Sequence, residues 1–319
     1  MADTQTTASA DNSESASPKS LLSPAQRSRL VLLMAMVLSY LAFYWVSRTA
    51  DIPHHRGYEI SVLQQPGSIG KLALIAVVFA GVAALASVVT GLVRFDAGLL
   101  VAGVGLMAVS LQGGTMRDVL FWAEGSPRVF PMLAGELALL MLPIGAVWWV
   151  TWRLWERGTL KTMELDPALD KPPTQAKEAQ SLLLRRRLIH LLIQTGGTML
   201  GVLLIVRSDD KGQVLAGVWL AAFFATGWAQ HAAGAATTGP WLWIGPTLAG
   251  VIGYLIAWLD PAGANIGQLS GDLGALARPL PLDYASMGTA GAVLGRWPGA
   301  AAVKAIRDGV VGIWELLFG

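Results

Sequence analysis

Seven apolar stretches dominate the 319-residue chain: residues 30–46, 71–93, 96–112, 131–152, 188–206, 212–231 and 241–259. Each is close to the ~20 residues that a helix needs to cross a ~30 Å hydrocarbon layer. No water reaches that layer, so the peptide groups must bond to one another along each segment, which makes every stretch an α-helix. The fold class to expect is therefore all-α, a polytopic transmembrane helix bundle of about seven spans. Composition agrees, with 54% hydrophobic and only 14% charged residues, against about 25% charged in a soluble domain.

The segments between the spans set the domain order. Residues 1–29 carry Ser, Thr, Ala and Asp with no large apolar residue between Met1 and Leu21, too little to fold alone, and read as a disordered tail. Arg27 and Arg29 precede the first apolar run, and Arg48 stands where a cleavage site would need a small side chain, so that run is retained as an anchor. Residues 30–152 then hold spans one to four, 153–187 a polar connector, 188–259 spans five to seven, and 260–319 a C-terminal loop and helix. With the amino terminus inside, twelve Lys and Arg fall on the inner side and seven in outer loops, four more lying beyond Leu259. The positive-inside rule thus favours a cytoplasmic tail and connector, in a membrane of the bacterial inner type. Arg185, Arg186 and Arg187 open the fifth span as a topological anchor or an anionic-lipid contact.

Tryptophans supply a second frame. Trp148, Trp149, Trp152 and Trp155 gather at the inner end of the fourth span, while Trp45, Trp122 and Trp258 mark outer ends, the distribution expected of interfacial belts. Beyond Leu259 the chain turns Gly- and Pro-rich. Its apolar stretch 287–295 is too short and glycine-rich to cross by the run-length criterion, and is expected to dip into the membrane or lie outside. In residues 298–318, Val303, Ile306, Val310, Ile313, Trp314 and Leu317 recur at helical spacing, as in an amphipathic helix at the interface or docked on the bundle.

Shifted by 114 positions, the chain aligns with itself. Asp96 meets Asp210, Gly98 meets Gly212, residues 102–104 (AGV) meet 216–218 (AGV), Leu106 meets Leu220 and Gly113 meets Gly227. One further residue of offset brings 131–135 (PMLAG) onto 246–250 (PTLAG). Each unit contains three spans, an odd number, so the second copy enters from the opposite side. The architecture is a 1+3+3 arrangement with inverted repeats, as in many channels and secondary transporters. The competing explanation is chance identity among Gly, Ala, Leu and Val.

Polar side chains inside spans are the candidate site, because desolvating a charged group there costs roughly 2.5–3.5 kcal/mol. His190, Gln194 and Thr198 recur every four residues and share a helix face, Thr226 and Gln230 do the same with His231 beside them, and Glu136 stands in the fourth span. His190 and His231 fall at similar depth, where they could pair; Glu136 lies near the other end, which argues against a shared metal. Hydrogen bonding between helices is the role these residues suit. The loop group Asp51, His54, His55, Arg56 and Glu59 matches no zinc spacing and reads as a solvated face. Residues 197–201 (GTMLG) form a small-xxx-small pattern, a close-packing signal.

There are no cysteines, and no nucleophile elbow, phosphate loop or dinucleotide fingerprint, so neither a catalytic residue nor a cofactor is expected. A net charge of +2 is too small to point to nucleic acid. Residues 241–254 (WLWIGPTLAGVIGY) resemble the final helix of aquaporins, a family with inverted three-helix halves; the likeness covers one span, and the paired Asn-Pro-Ala motifs of that family's pore do not occur here. Two functions follow. One is a non-catalytic membrane component or subunit of an assembly, with lipid and other membrane subunits or further copies as partners. The other is a small-solute channel or secondary transporter, and a membrane-embedded enzyme comes third.

Overall fold

The computed structural model describes residues 24–49, 68–90, 96–157, 180–233, 241–262 and 273–297. Most of the tail, the Asp51–Glu59 loop, most of the connector and the C-terminal amphipathic segment lie outside the described residues. The helices are α1 (Pro24–Thr49), α2 (Ser68–Thr90), α3 (Ala97–Gln112), a short α4 (Met116–Trp122), α5 (Val129–Glu156), α6 (Gln180–Ile205), α7 (Lys211–Ala233) and α8 (Trp241–Leu259). Six of them are long and apolar enough to cross a membrane, and α3 is apolar but shorter. The protein is an all-α polytopic bundle and an integral membrane protein.

Ends are set locally. The carboxylate of Asp118 accepts from the Thr115 backbone N–H at 2.7 Å, capping α4. The turn into α5 places Glu124 and Gly125 at φ 52° and 69°, with Gly125 N–H donating to the Leu120 carbonyl at 2.8 Å, a left-handed helix ending. Asp210 caps α7 through the Gln213 N–H at 2.8 Å. Pro143 in α5 and Pro246 in α8 each remove one backbone donor, which a bundle tolerates where neighbouring helices cover the gap.

Side-chain contacts fix helix directions. We call the face where α1 begins the near side and the other the far side. Phe130 meets Tyr254 with ring centroids 6.3 Å apart, Leu137 covers Gly250, and Trp243 covers Gly145, so α5 and α8 run antiparallel. Ala225 lies on Gly197 and Ala221 on Gly201, so α6 and α7 are antiparallel too; the 197–201 pattern does bring these backbones close. Ser39 and Phe43 fill the space beside Gly105, and Gln112 donates to Ser47, so α1 runs parallel to α3.

The two three-span units share one internal plan. In the first, α2 packs on α3 and α5 while α3 and α5 scarcely touch; in the second, α6 packs on α7 and α8 while α7 and α8 scarcely touch. The units meet along α5 and α8.

Between α3 and α7 runs an element that the run-length criterion misses. A 3₁₀ turn at Ala275–Ala277 leads into α9 (Pro281–Asp283), a π-helical turn (Tyr284–Gly288) and α10 (Thr289–Arg296). These three pieces form one rod of about 24 Å at 1.5 Å per residue, with every residue from 281 to 293 buried. The expectation for 287–295 is corrected: the stretch neither dips from one side nor lies outside, but is the near half of a rod passing through the bundle. Run length tests a helix facing lipid. A helix surrounded by protein needs small side chains instead, and Gly291 and Gly295 place its backbone against the Trp219 and Phe223 carbonyls of α7.

Candidate functional site

The polar stripe of α6 faces inward. His190, Gln194 and Thr198 are fully buried, as is Thr226 on α7. The Gln194 amide donates to Thr226 Oγ1 at 2.7 Å and also to the Leu242 carbonyl, joining α6, α7 and α8 at one residue. Gly245 of α8 leaves the room for this, because a Cβ there would strike the Gln194 side chain. Thr198 donates back to the Gln194 carbonyl at 2.7 Å, within its own helix. Three of the seven sequence-selected residues thus form one linked group.

The remaining four do not join it. His231 is exposed and Gln230 buried on α7. Neither ring nitrogen of His190 has a hydrogen-bond partner, so the two histidines are not bonded to each other. Glu136 is buried on α5, within electrostatic reach of the Tyr254 phenol. Among the described residues, no group of three or more His, Asp or Glu gathers as a metal site.

A second group, at the two ends of the rod, escaped sequence reasoning. At the far end Asp283 is 1% exposed and pairs with Lys211 Nζ at 2.6 Å. It also accepts from Ser110 Oγ and, at 2.8 Å, from the Leu280 N–H. Tyr254 and Tyr284 lie beside it, ring centroids 6.2 Å apart, and donate to the Pro279 and Leu276 carbonyls. At the near end Arg296 pairs with Asp96 at 2.7 Å, both almost fully buried, and the Trp297 indole N–H donates to the same carboxylate at 3.0 Å. Asp96, which opens the third apolar stretch, is a buried partner of a residue 200 positions away.

These pairs give the direction of the rod. Ser110 meets Asp283, Gly103 meets Ser286 and Ala290, and Asp96 meets Arg296, so the rod runs antiparallel to α3. Lys211 meets Asp283, Val218 meets Gly288 and Trp219 meets Gly291, so it runs parallel to α7. Hence α3 and α7 are antiparallel to each other, the relation expected of inverted units. Within the π-helical turn, Ser286 Oγ donates to the Leu282 carbonyl one turn back at 2.6 Å.

The tryptophan frame needs one correction. Trp149, Trp45 and Trp258 are exposed on the outside of the bundle, but Trp148 is buried and stacks on Trp152 with centroids 5.5 Å apart. At the near end of α5, these rings pack helices together.

No protein-family model, curated protein or solved structure matches this chain.

Proposed function

We propose that the protein is a non-catalytic component of a bacterial inner membrane, with its tail in the cytoplasm, and that it works as a subunit with other membrane proteins or with further copies of itself. The observation that carries this reading is the rod. In inverted-repeat transporters the substrate path runs between the two units near the midplane. Here the space between α3 and α7 is filled by residues 281–296, pinned at both ends by buried ion pairs. The Gln194 amide nitrogen, Thr226 and Thr198 support the same view, because they are engaged in bonds within and between helices.

A small-solute channel or secondary transporter is the second reading. It is favoured by the antiparallel units and by the π-helical turn in the rod, a feature often found at functional sites. The two readings separate in one experiment. Purified full-length protein is reconstituted into vesicles, and swelling is followed with water, glycerol, urea and monovalent salts. The expected result is permeability equal to protein-free vesicles, together with a detergent-solubilised mass above the 33.7 kDa monomer. Solute flux from a monomeric preparation, abolished by cross-linking the rod to α3, overturns the subunit reading in favour of transport.

A further inference from the structure

We infer that the groove between α1 and α2 is a binding site for one acyl chain of an anionic phospholipid, whose phosphate is held by Arg27. The groove has a volume of about 430 Å³ and opens to the outside of the bundle. Val31, Met34, Leu38 and Ala42 of α1 form one wall, Val82 and Ala86 of α2 the other, and Val101 of α3 lies at its floor.

Length, charge and direction all point to that occupant. From Val31 to Ala42 the helix rises about 16 Å, close to the ~15 Å of one leaflet of a ~30 Å core. The groove lies in the near half of the bundle, reaching from Val31, two turns into α1, to Val89 at the near end of α2. Arg27 is exposed one turn beyond Val31, and positions 27, 31, 34, 38 and 42 fall on a single helix face. The backbone of Arg27 thus stands about 6 Å beyond the end of an apolar slot, near the level of a lipid phosphate, and its side chain is of the type that binds phosphate by charge-assisted hydrogen bonds. Arg29 is equally exposed but projects from nearly the opposite side of α1. A helix of a second copy would fill the slot without using the Arg27 cation beyond its mouth.

The test uses the full chain in vesicles of phosphatidylcholine doped with phosphatidylglycerol, extracted in mild detergent, washed, and read by native mass spectrometry for retained lipid. Wild type is expected to keep one phosphatidylglycerol per chain in preference to phosphatidylcholine. Arg27→Gln should reduce that preference about fivefold, the equivalent of ~1 kcal/mol for one basic residue at an anionic surface, while Arg29→Gln leaves it unchanged. Ala35→Phe should fill the slot and remove the adduct. Ala42→Phe, at an exposed position, does the same and decides the matter if Ala35→Phe fails to fold. Equal retention of both lipids by wild type, an adduct that survives both phenylalanines, or a dimer mass lost in Ala42→Phe each overturns the proposal, the last by seating a second copy in the groove.

Discussion

Breaking the near-end ion pair gives the sharpest measure of how the rod is held. The Arg296 and Asp96 side chains are 4% and 0% exposed, at 2.7 Å, so removing either partner strands a charge in a site that water does not reach. That loss costs about 3–5 kcal/mol, whereas replacing both partners together can be close to neutral. Arg296→Met should fall at the lower end, because the Trp297 indole and the N-terminus of α3 continue to stabilise the carboxylate. The double variant Asp96→Asn/Arg296→Met should then be less destabilised than the sum of the singles by more than ~2 kcal/mol, a coupling far above that of exposed pairs. Unfolding in mixed micelles with rising dodecyl sulfate, followed by far-ultraviolet circular dichroism, provides all four stabilities of the cycle. Two single variants that each cost under ~1 kcal/mol and add without coupling would refute the claim that this end of the rod is buried and paired.

Two further outcomes are expected. Gly291→Leu and Gly295→Leu each drive a side chain into an α7 carbonyl and should lower stability by more than ~3 kcal/mol or prevent assembly of the bundle, while Gly70→Leu, with open space around it, should leave the same unfolding curve unmoved. A phosphatase or fluorescent reporter fused after Asp170 should read cytoplasmic and one inserted between Asp51 and Glu59 external; the reverse pattern would overturn the orientation drawn from the Lys and Arg distribution.

The sequence displayed the lipid-facing architecture well, because a helix in hydrocarbon must advertise itself as a long apolar run. Spans such as α2 and α8 are of this kind. The stripe on α6 was legible for a related reason: His190, Gln194 and Thr198 at four-residue spacing have no reason to face lipid, and all three are buried. What stayed hidden was everything that depends on protein surrounding protein. Trp148 reads like its neighbour Trp149 until α5 is packed, and Asp96 opens an apolar stretch with nothing nearby to name Arg296 as its partner. For the rod the local signals were nonetheless there. Pro281 at the first helical position and Asp283 two residues later form a helix-start pattern, Arg296 closes the last turn with the favourable sign, and residues 291–295 (GAVLG) repeat the close-packing spacing of 197–201.

The rod also accounts for where the two units diverge. Asp96 and Asp210 occupy matching places before α3 and α7, yet Asp96 pairs with the rod while Asp210 caps its own helix and the neighbouring Lys211 makes the ion pair. A single rod cannot present the same charge to both. Its N-terminal end carries Asp283, stabilised by the rod's own dipole, and its C-terminal end carries Arg296 for the same reason. The helix meeting the first must offer a cation and the helix meeting the second an anion, although both contacts are made at helix N-termini on opposite sides of the bundle. An acid suits the start of α3. A lysine at the start of α7 opposes that helix's dipole by about 0.3–1 kcal/mol, and the buried Asp283 at 2.6 Å offsets it. The mismatch between the units at this one position is therefore a requirement of the element lying between them, and inverted units with no such rod would have no reason to differ there.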